Sequence, residues 1–148
     1  MTSRKRLPHC GQWKDLDPLL CYGIARLRFQ VFVMEQGVIS VEELDGRDLE
    51  PGAEMWRLQD GDVPISTLRV LREGPQRIAI GRVATHRDYR GQGLAGALLQ
   101  AAVAAYPEDQ IELHAQAHLE NWYTSLGFRR EGEVFIEAEI PHVMMRRG

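Results

Sequence analysis

The chain has 148 residues, 44% of them hydrophobic and 26% charged, which is a globular composition and excludes a disordered or collagen-like chain. Eighteen Lys and Arg against 21 Asp and Glu give a net charge of −3, which argues against a nucleic-acid binder. Apolar runs such as Ala101 to Tyr106 fall far short of the ~18 residues of a membrane span. Residues 1–148 read as one domain, since about 150 residues is the usual size of one.

The basic start, Met1 to Arg6, lacks the apolar stretch of a signal peptide and reads as a frayed tail, so the cytoplasm is the expected address. Cys10 and Cys21 show no CxxC spacing and are expected as buried or half-buried thiols rather than a zinc or redox pair. Asp17-Pro18 is an N-cap followed by Pro at the first helical position. Leu20, Ile24, Leu27 and Val31 then recur at helical spacing, which predicts a helix to about Met34 or Glu35. From Gly37 to Gly52 periodicity is lost, and five acids face one base, Arg47. This segment reads as a loop with solvated charges.

Met55 to Gln59 is strand-like, Asp60-Gly61 is a hairpin turn, and Val63 to Arg72 is the return strand. Arg77 to Thr85 is a third strand after the Gly74-Pro75 turn. A glycine-rich turn then opens an amphipathic helix through Leu94, Leu98, Ala102 and Ala105, stopped by Pro107. Ile111 to Ala115 is a short strand, and Leu119 to Leu126 a helix closed by Gly127. Glu133 to Glu137 and Val143 to Arg146 form a final hairpin. The order predicts an α/β protein of the α+β type, with a mixed, mostly antiparallel sheet flanked by helices.

The segment Arg90-Gly91-Gln92-Gly93-Leu94-Ala95-Gly96 is the most informative. Its glycines let the backbone approach a ligand, and the first N–H groups of the following helix have no internal partner. With the positive end of the helix dipole they suit a phosphate, and Arg87 and Arg90 add charge at the rim. The same glycines satisfy GxGxxG, but antiparallel hairpins precede them and too little chain follows for a doubly wound dinucleotide fold. A nicotinamide-dependent oxidoreductase is therefore a minor alternative.

Arg90-x-x-Gly93-x-Ala95, preceded by Ile80-Gly81-Arg82-Val83-Ala84-Thr85, resembles the acyl-CoA motif of the GNAT superfamily of N-acetyltransferases. Tyr123 with Leu126-Gly127-Phe128 is similar to the superfamily's second motif. Leu27-Arg28, Val31-Phe32-Val33-x-Glu35-Gln36, Asp45-Gly46, Ala115-Gln116-Ala117-His118 and Ile140-Pro141-His142 resemble the ElaA-like branch. Gln116 departs from the Asn of many superfamily members. The resemblance implies a GNAT-like fold and an acetyl-CoA-dependent transfer of an acetyl group to a primary amine, with coenzyme A as product. The acceptor is a small-molecule or peptide amine, and a homodimer is a common assembly in the superfamily. A non-catalytic acyl-CoA sensor on the same scaffold is the second reading.

The resemblance further implies that backbone amides from Gln92 through Leu94 and Ala95 to Gly96, with Arg90, Gly91 and Gly93, hold the pyrophosphate. Val83, Ala84 and Thr85 would border the pantetheine arm, and the N–H near Val83 would face the thioester carbonyl. Tyr123 is the candidate general acid, although Leu119, Tyr123 and Leu126 also form one packing stripe. Glu35 is the first choice of base, on one helix face with Arg28 and Phe32 as acceptor-binding residues; an ion pair with Arg28 is its bland alternative. His114 and His142 are the next candidates, since an imidazole is the side chain whose ordinary range lies near working pH. His114 and His118 stand at zinc-binding spacing, but no acid lies between them and no metal is expected. Trp13, Trp56 and Trp122 are expected to pack.

Overall fold

A computed structural model describes residues 6–148, so Met1 to Lys5 of the expected tail lie outside the described residues. Seven strands form one sheet in the order β1-β2-β3-β4-β5-β7-β6. They span His9–Gly11 (β1), Glu54–Asp60 (β2), Val63–Gly74 (β3), Arg77–Thr85 (β4), Gln110–Gln116 (β5), Arg129–Glu137 (β6) and Ile140–Arg147 (β7). Every neighbouring pair is antiparallel except β4 and β5. The first strand was not expected. It is three residues long and has no alternation of its own, and β2 supplies its partners, Met55 to Arg57.

Helix α1 (Pro18–Arg28) begins where the Asp17-Pro18 pair predicts: the Asp17 carboxylate accepts from the Leu19 N–H at 2.8 Å. Its continuation, Phe29–Glu35, winds as a π-helix. The wider i→i+5 turn advances each side chain by a smaller angle than an α-turn does, which alters which residues share a face. Helix α2 (Leu94–Ala104) crosses from β4 to β5. Helix α3 (Glu120–Ser125) is shorter than the expected Leu119–Leu126, because Ala117–Leu119 forms a tight 3₁₀ turn first.

The helices cover both sheet faces, as side-chain parity along the strands requires. Trp56, Leu58, Leu68 and Val70 point to one face and pack with Leu98, Leu99 and Ala102 of α2. Met55 and Leu71, of opposite parity, meet Ile24 of α1, and Ala84 meets Leu27 and Val31. Leu98 and Leu99 are fully buried, so truncating either to Ala costs about 2–5 kcal/mol. The three tryptophans pack: Trp56 within the larger cluster, Trp122 against it, and Trp13 beside Ile24. Both cysteines are free, and Cys10 is exposed rather than buried.

Candidate active site

Two parallel strands part company at the centre of the sheet. β4 pairs with β5 only where Arg77, Ile78 and Ala79 meet Gln110, Ile111 and Glu112. Beyond that point the β5-facing edge of β4, Ile80 to Thr85, has no strand partner. The cause lies within β4: Arg82 and Val83 together oppose the single residue Leu68 of β3, and Arg82 takes a φ of +52°. A bulge of this kind bends and twists its strand. The opening leads to a cavity of about 610 Å³, with Ile80, Gly81 and Val83 on one wall and Leu113, His114 and Gln116 on the other.

The chain leaving β4 turns directly into the N-terminus of α2. Gly91 and Gly93 hold φ values of +78° and +74°, in the left-handed region that glycine enters without penalty. A β-carbon on either would meet no atom of the protein within 4 Å. The backbone conformation, and not crowding, therefore requires glycine, and the space above both residues is open to a ligand. Gly93 is the N-cap of α2 and brings no side-chain cap, so the first amides of the helix stay available. Gly96 is different: its α-carbon packs toward Trp122, 3.7 Å from where a β-carbon would stand.

Arg90 arches over this loop. Its Nε donates to the Thr85 carbonyl at 3.1 Å, and its two terminal nitrogens donate to the Glu35 carboxylate at 2.8 and 2.9 Å. Thr85 Oγ1 lies 2.9 Å from Ser66 Oγ, which ties the end of β4 to β3. Ala84 is buried against Leu27 and Val31.

Tyr123 reaches the cavity from α3. It is 6% exposed, packed edge-on against Trp122 and Phe128, and its hydroxyl has no hydrogen-bond partner among the described residues. Burial pushes the phenol up to about 12. The stripe expected from Leu119 and Leu126 is real, since Leu126 packs on the same core, yet Tyr123 also lines the cavity.

At the other end of the cavity His114 Nδ1 lies 2.8 Å from Glu137 Oε1. A carboxylate on Nδ1 holds the proton there and leaves Nε2 as the basic nitrogen of the neutral ring. The Glu137 hydrogen bond, supported by the charges of Glu112 and Glu73, holds His114 above the ordinary imidazole range. His142, 7% exposed, donates from Nδ1 to the Ile140 carbonyl at 2.6 Å. Its Nε2 stands 3.8 Å from Glu137, and Phe135 packs against both imidazoles.

The expected face of Arg28, Phe32 and Glu35 does not form, because the π-helix lies between the first and the last. Phe32 lines the cavity. Arg28 is 1% exposed and does not reach it, being held by Glu43 at 2.6 Å and Asp48 at 2.7 Å. The bland alternative of an Arg28–Glu35 pair is likewise replaced by these partners. Glu35 faces Arg90, whose hydrogen bonds hold its carboxyl below the usual carboxylate range. The acidic loop is also not simply solvated: Glu43, Asp45 and Asp48 all pair with arginines, and Asp48 is 6% exposed.

Sequence reasoning missed Glu137, which forms the His114 pair, and Arg69 and Arg82, which pair with the acidic loop. It also missed the bond from Gln116 Nε2 to Gln36 Oε1, 3.0 Å across the cleft.

Comparison with known proteins agrees with this fold. The family model described as an acetyltransferase (GNAT) domain matches residues 28–147. UPF0039 protein Rv2851c of Mycobacterium tuberculosis is 42% identical over 139 residues, 90% of this chain and 88% of that protein. Protein ElaA of Escherichia coli is 32% identical over 147 residues, covering 92% and 95% of the two chains. The crystal structure of an acyl-CoA N-acyltransferase from Pseudomonas aeruginosa superposes with a TM-score of 0.87 at 34% identity, covering 97% of this chain and all of that one. The chain belongs to the GNAT acetyltransferase family and is a homologue of ElaA. It is an acyltransferase with the GNAT mixed sheet, and the nicotinamide alternative is set aside.

Proposed function

We propose that the enzyme transfers the acetyl group of acetyl-CoA to a primary amine that enters from the His114 end of the cavity. The observation that carries this reading is the uncapped start of α2, reached by the turn that follows the unpartnered edge of β4. The amides of Gln92 to Gly96 suit a diphosphate, and no protein atom stands within 4 Å of the β-carbon positions of Gly91 and Gly93 to obstruct its approach. Bound there, acetyl-CoA supplies an activated thioester. Ile80 to Thr85 then offer backbone groups to an extended arm, much as a missing strand would.

The residues divide the remaining work. The Val83 N–H donates to the carbonyl oxygen as negative charge develops on it, a contact worth ~3–4 kcal/mol per donor in comparable acyl transfers. His114 Nε2 accepts the amine proton as the C–N bond forms and the C–S bond breaks, and Glu137 stabilises the resulting imidazolium. Tyr123 steadies the leaving sulfur. A thiol titrating near ~8.5 is a stronger acid than a phenol at about 12, so Tyr123 donates a hydrogen bond and keeps its proton. Glu35, engaged by Arg90, passes the role of base to His114 and orients Arg90 toward the phosphates. Phe32 and His142 shape the acceptor wall. The two free cysteines fit a reducing cytoplasm.

The test is thiol release from acetyl-CoA across an amine panel, with the acetylated product identified by its mass shift. Turnover on an amine supports transfer. Tight coenzyme A binding with no turnover on any amine supports the sensor reading.

A further inference from the structure

Three arginines and three carboxylates close into a ring at one wall of the cavity, which Glu43, Asp45, Arg69 and Arg82 line while Arg28 and Asp48 lie deeper. Arg28 of α1 meets Glu43 at 2.6 Å and Asp48 at 2.7 Å. Arg69 of β3 meets Asp48 at 3.4 Å and Asp45 at 2.8 Å. Arg82 of β4 meets Asp45 at 3.3 Å and Glu43 at 3.1 Å. The charges alternate, so each guanidinium touches two carboxylates and each carboxylate two guanidiniums. The Arg82 Nε contact with Glu43 is off the hydrogen-bond axis and acts through charge. Arg82 Nη2 adds bonds to the carbonyls of Glu42 and Glu43, both 3.4 Å.

Arg82 is the one member of the ring with a positive φ, +52°. A residue bearing a β-carbon persists in that region only where its surroundings over-determine it. The surroundings here are the ring and two loop carbonyls, all gripping the guanidinium. Arg28, Asp48 and Arg69 are buried and the other three partly exposed, and a cluster of this kind is a weak route to stability, because paired charges repay little beyond their desolvation. What the ring supplies that apolar packing could not is a fixed direction for one side chain. The next residue is Val83, at the bulge opposite Leu68.

We propose that Arg82 is a positioning residue: held by the ring of Arg28, Glu43, Asp45, Arg69 and Asp48, it keeps the β4 bulge open and aims the Val83 N–H at the reacting carbonyl. This rests on the role given to Val83 above. The ring contributes nothing to the phosphate end, so it acts on turnover and not on coenzyme A affinity.

The experiment compares Arg82→Ala, Arg82→Gly and Asp45→Asn by steady-state kinetics, coenzyme A calorimetry and the ¹⁵N–¹H resonance of the Val83 amide in the free protein. Arg82→Ala is expected to lower kcat about 10- to 100-fold, as partial loss of an oxyanion donor would, with the coenzyme A Kd within about threefold. Arg82→Gly, free to adopt a positive φ, is expected to recover at least about fivefold of that loss and to return the Val83 resonance toward its native position. Asp45→Asn, which keeps the side chain's shape, is expected to show the same split in milder form and covers the case in which Arg82→Ala does not fold. An unchanged kcat in Arg82→Ala, or Arg82→Gly no faster than Arg82→Ala, overturns the proposal. Should the native enzyme turn over no amine, the functional reading fails. The Val83 resonance still decides the ring: a shift in Arg82→Ala that glycine reverses upholds it, and an unmoved resonance overturns it.

Discussion

Glu35, at the end of the π-helix, and Arg90, in the turn before α2, form a two-pronged ion pair, with both carboxylate oxygens within 2.9 Å of the guanidinium. A carboxylate so engaged, and held below its ordinary range, is a poor acceptor for an amine proton. Removing a general base costs about 10²- to 10⁴-fold in rate, whereas this half-exposed pair is worth ~0–1 kcal/mol. Glu35→Gln is therefore expected to keep kcat within about threefold at each pH, by the same reasoning. A loss of about 100-fold at every pH would return the base to Glu35.

Tyr123→Phe removes a hydroxyl that has no partner among the described residues, so stability should change by less than about 0.5 kcal/mol. Turnover should fall about 10- to 100-fold while the coenzyme A Kd stays within about twofold, since the hydroxyl acts on the sulfur as it leaves. Unchanged turnover would reassign the hydroxyl to packing.

The His114–Glu137 pair sets the pH dependence. The base works when the imidazole is neutral, and its pKa is raised, so the rate should rise with pH through a value above the ordinary imidazole range. Glu137→Gln removes the largest cause of that elevation and should move the rising limb to lower pH, with a lower plateau from the lost support of the imidazolium. Glu112 and Glu73 remain to hold part of the shift. The pH–rate profile of kcat/KM checks this. A limb that does not move excludes His114 as the titrating base.

Gly93→Val places a branched side chain at a φ of +74° and in the open space above the helix start. The backbone strain alone is ~1–2 kcal/mol, and the coenzyme A Kd should rise at least about 100-fold by obstruction at the anion site. Gly132→Ala is the control: it sits at φ +83° with equally open surroundings, on β6. It should lose some stability and leave coenzyme A affinity unchanged. Equal effects of the two variants on affinity would remove the phosphate site from α2.

The parts legible in advance were those with local causes. The Asp17-Pro18 cap and the bounds of β4 are written in adjacent residues, and the structure returns them; the expected hairpin is there too, although its two-residue loop is Gly61-Asp62, with Asp60 paired to Val63. The glycine turn is legible for the same reason, since positive φ at Gly91 and Gly93 is a property of glycine itself. Arg82 is the counterexample, because nothing in an arginine announces a left-handed backbone. Its conformation depends on Glu43 and Asp45, about 40 residues away in sequence. Arg28 was misread for a related reason. Counting along an α-helix put Glu35 beside it, but the π-turn and the folded-back loop brought Glu43 and Asp48 instead. The first half of β6 escaped notice because this edge strand is largely exposed and charged from Arg129 to Glu133, without an alternating apolar face.

The most direct measurement is calorimetric titration of the protein with coenzyme A, followed by amide resonances through the α2 start. Saturable binding is expected, with the largest shifts at Gln92 to Gly96 and at Val83 to Thr85. Absence of heat together with unmoved resonances at these positions would contradict it.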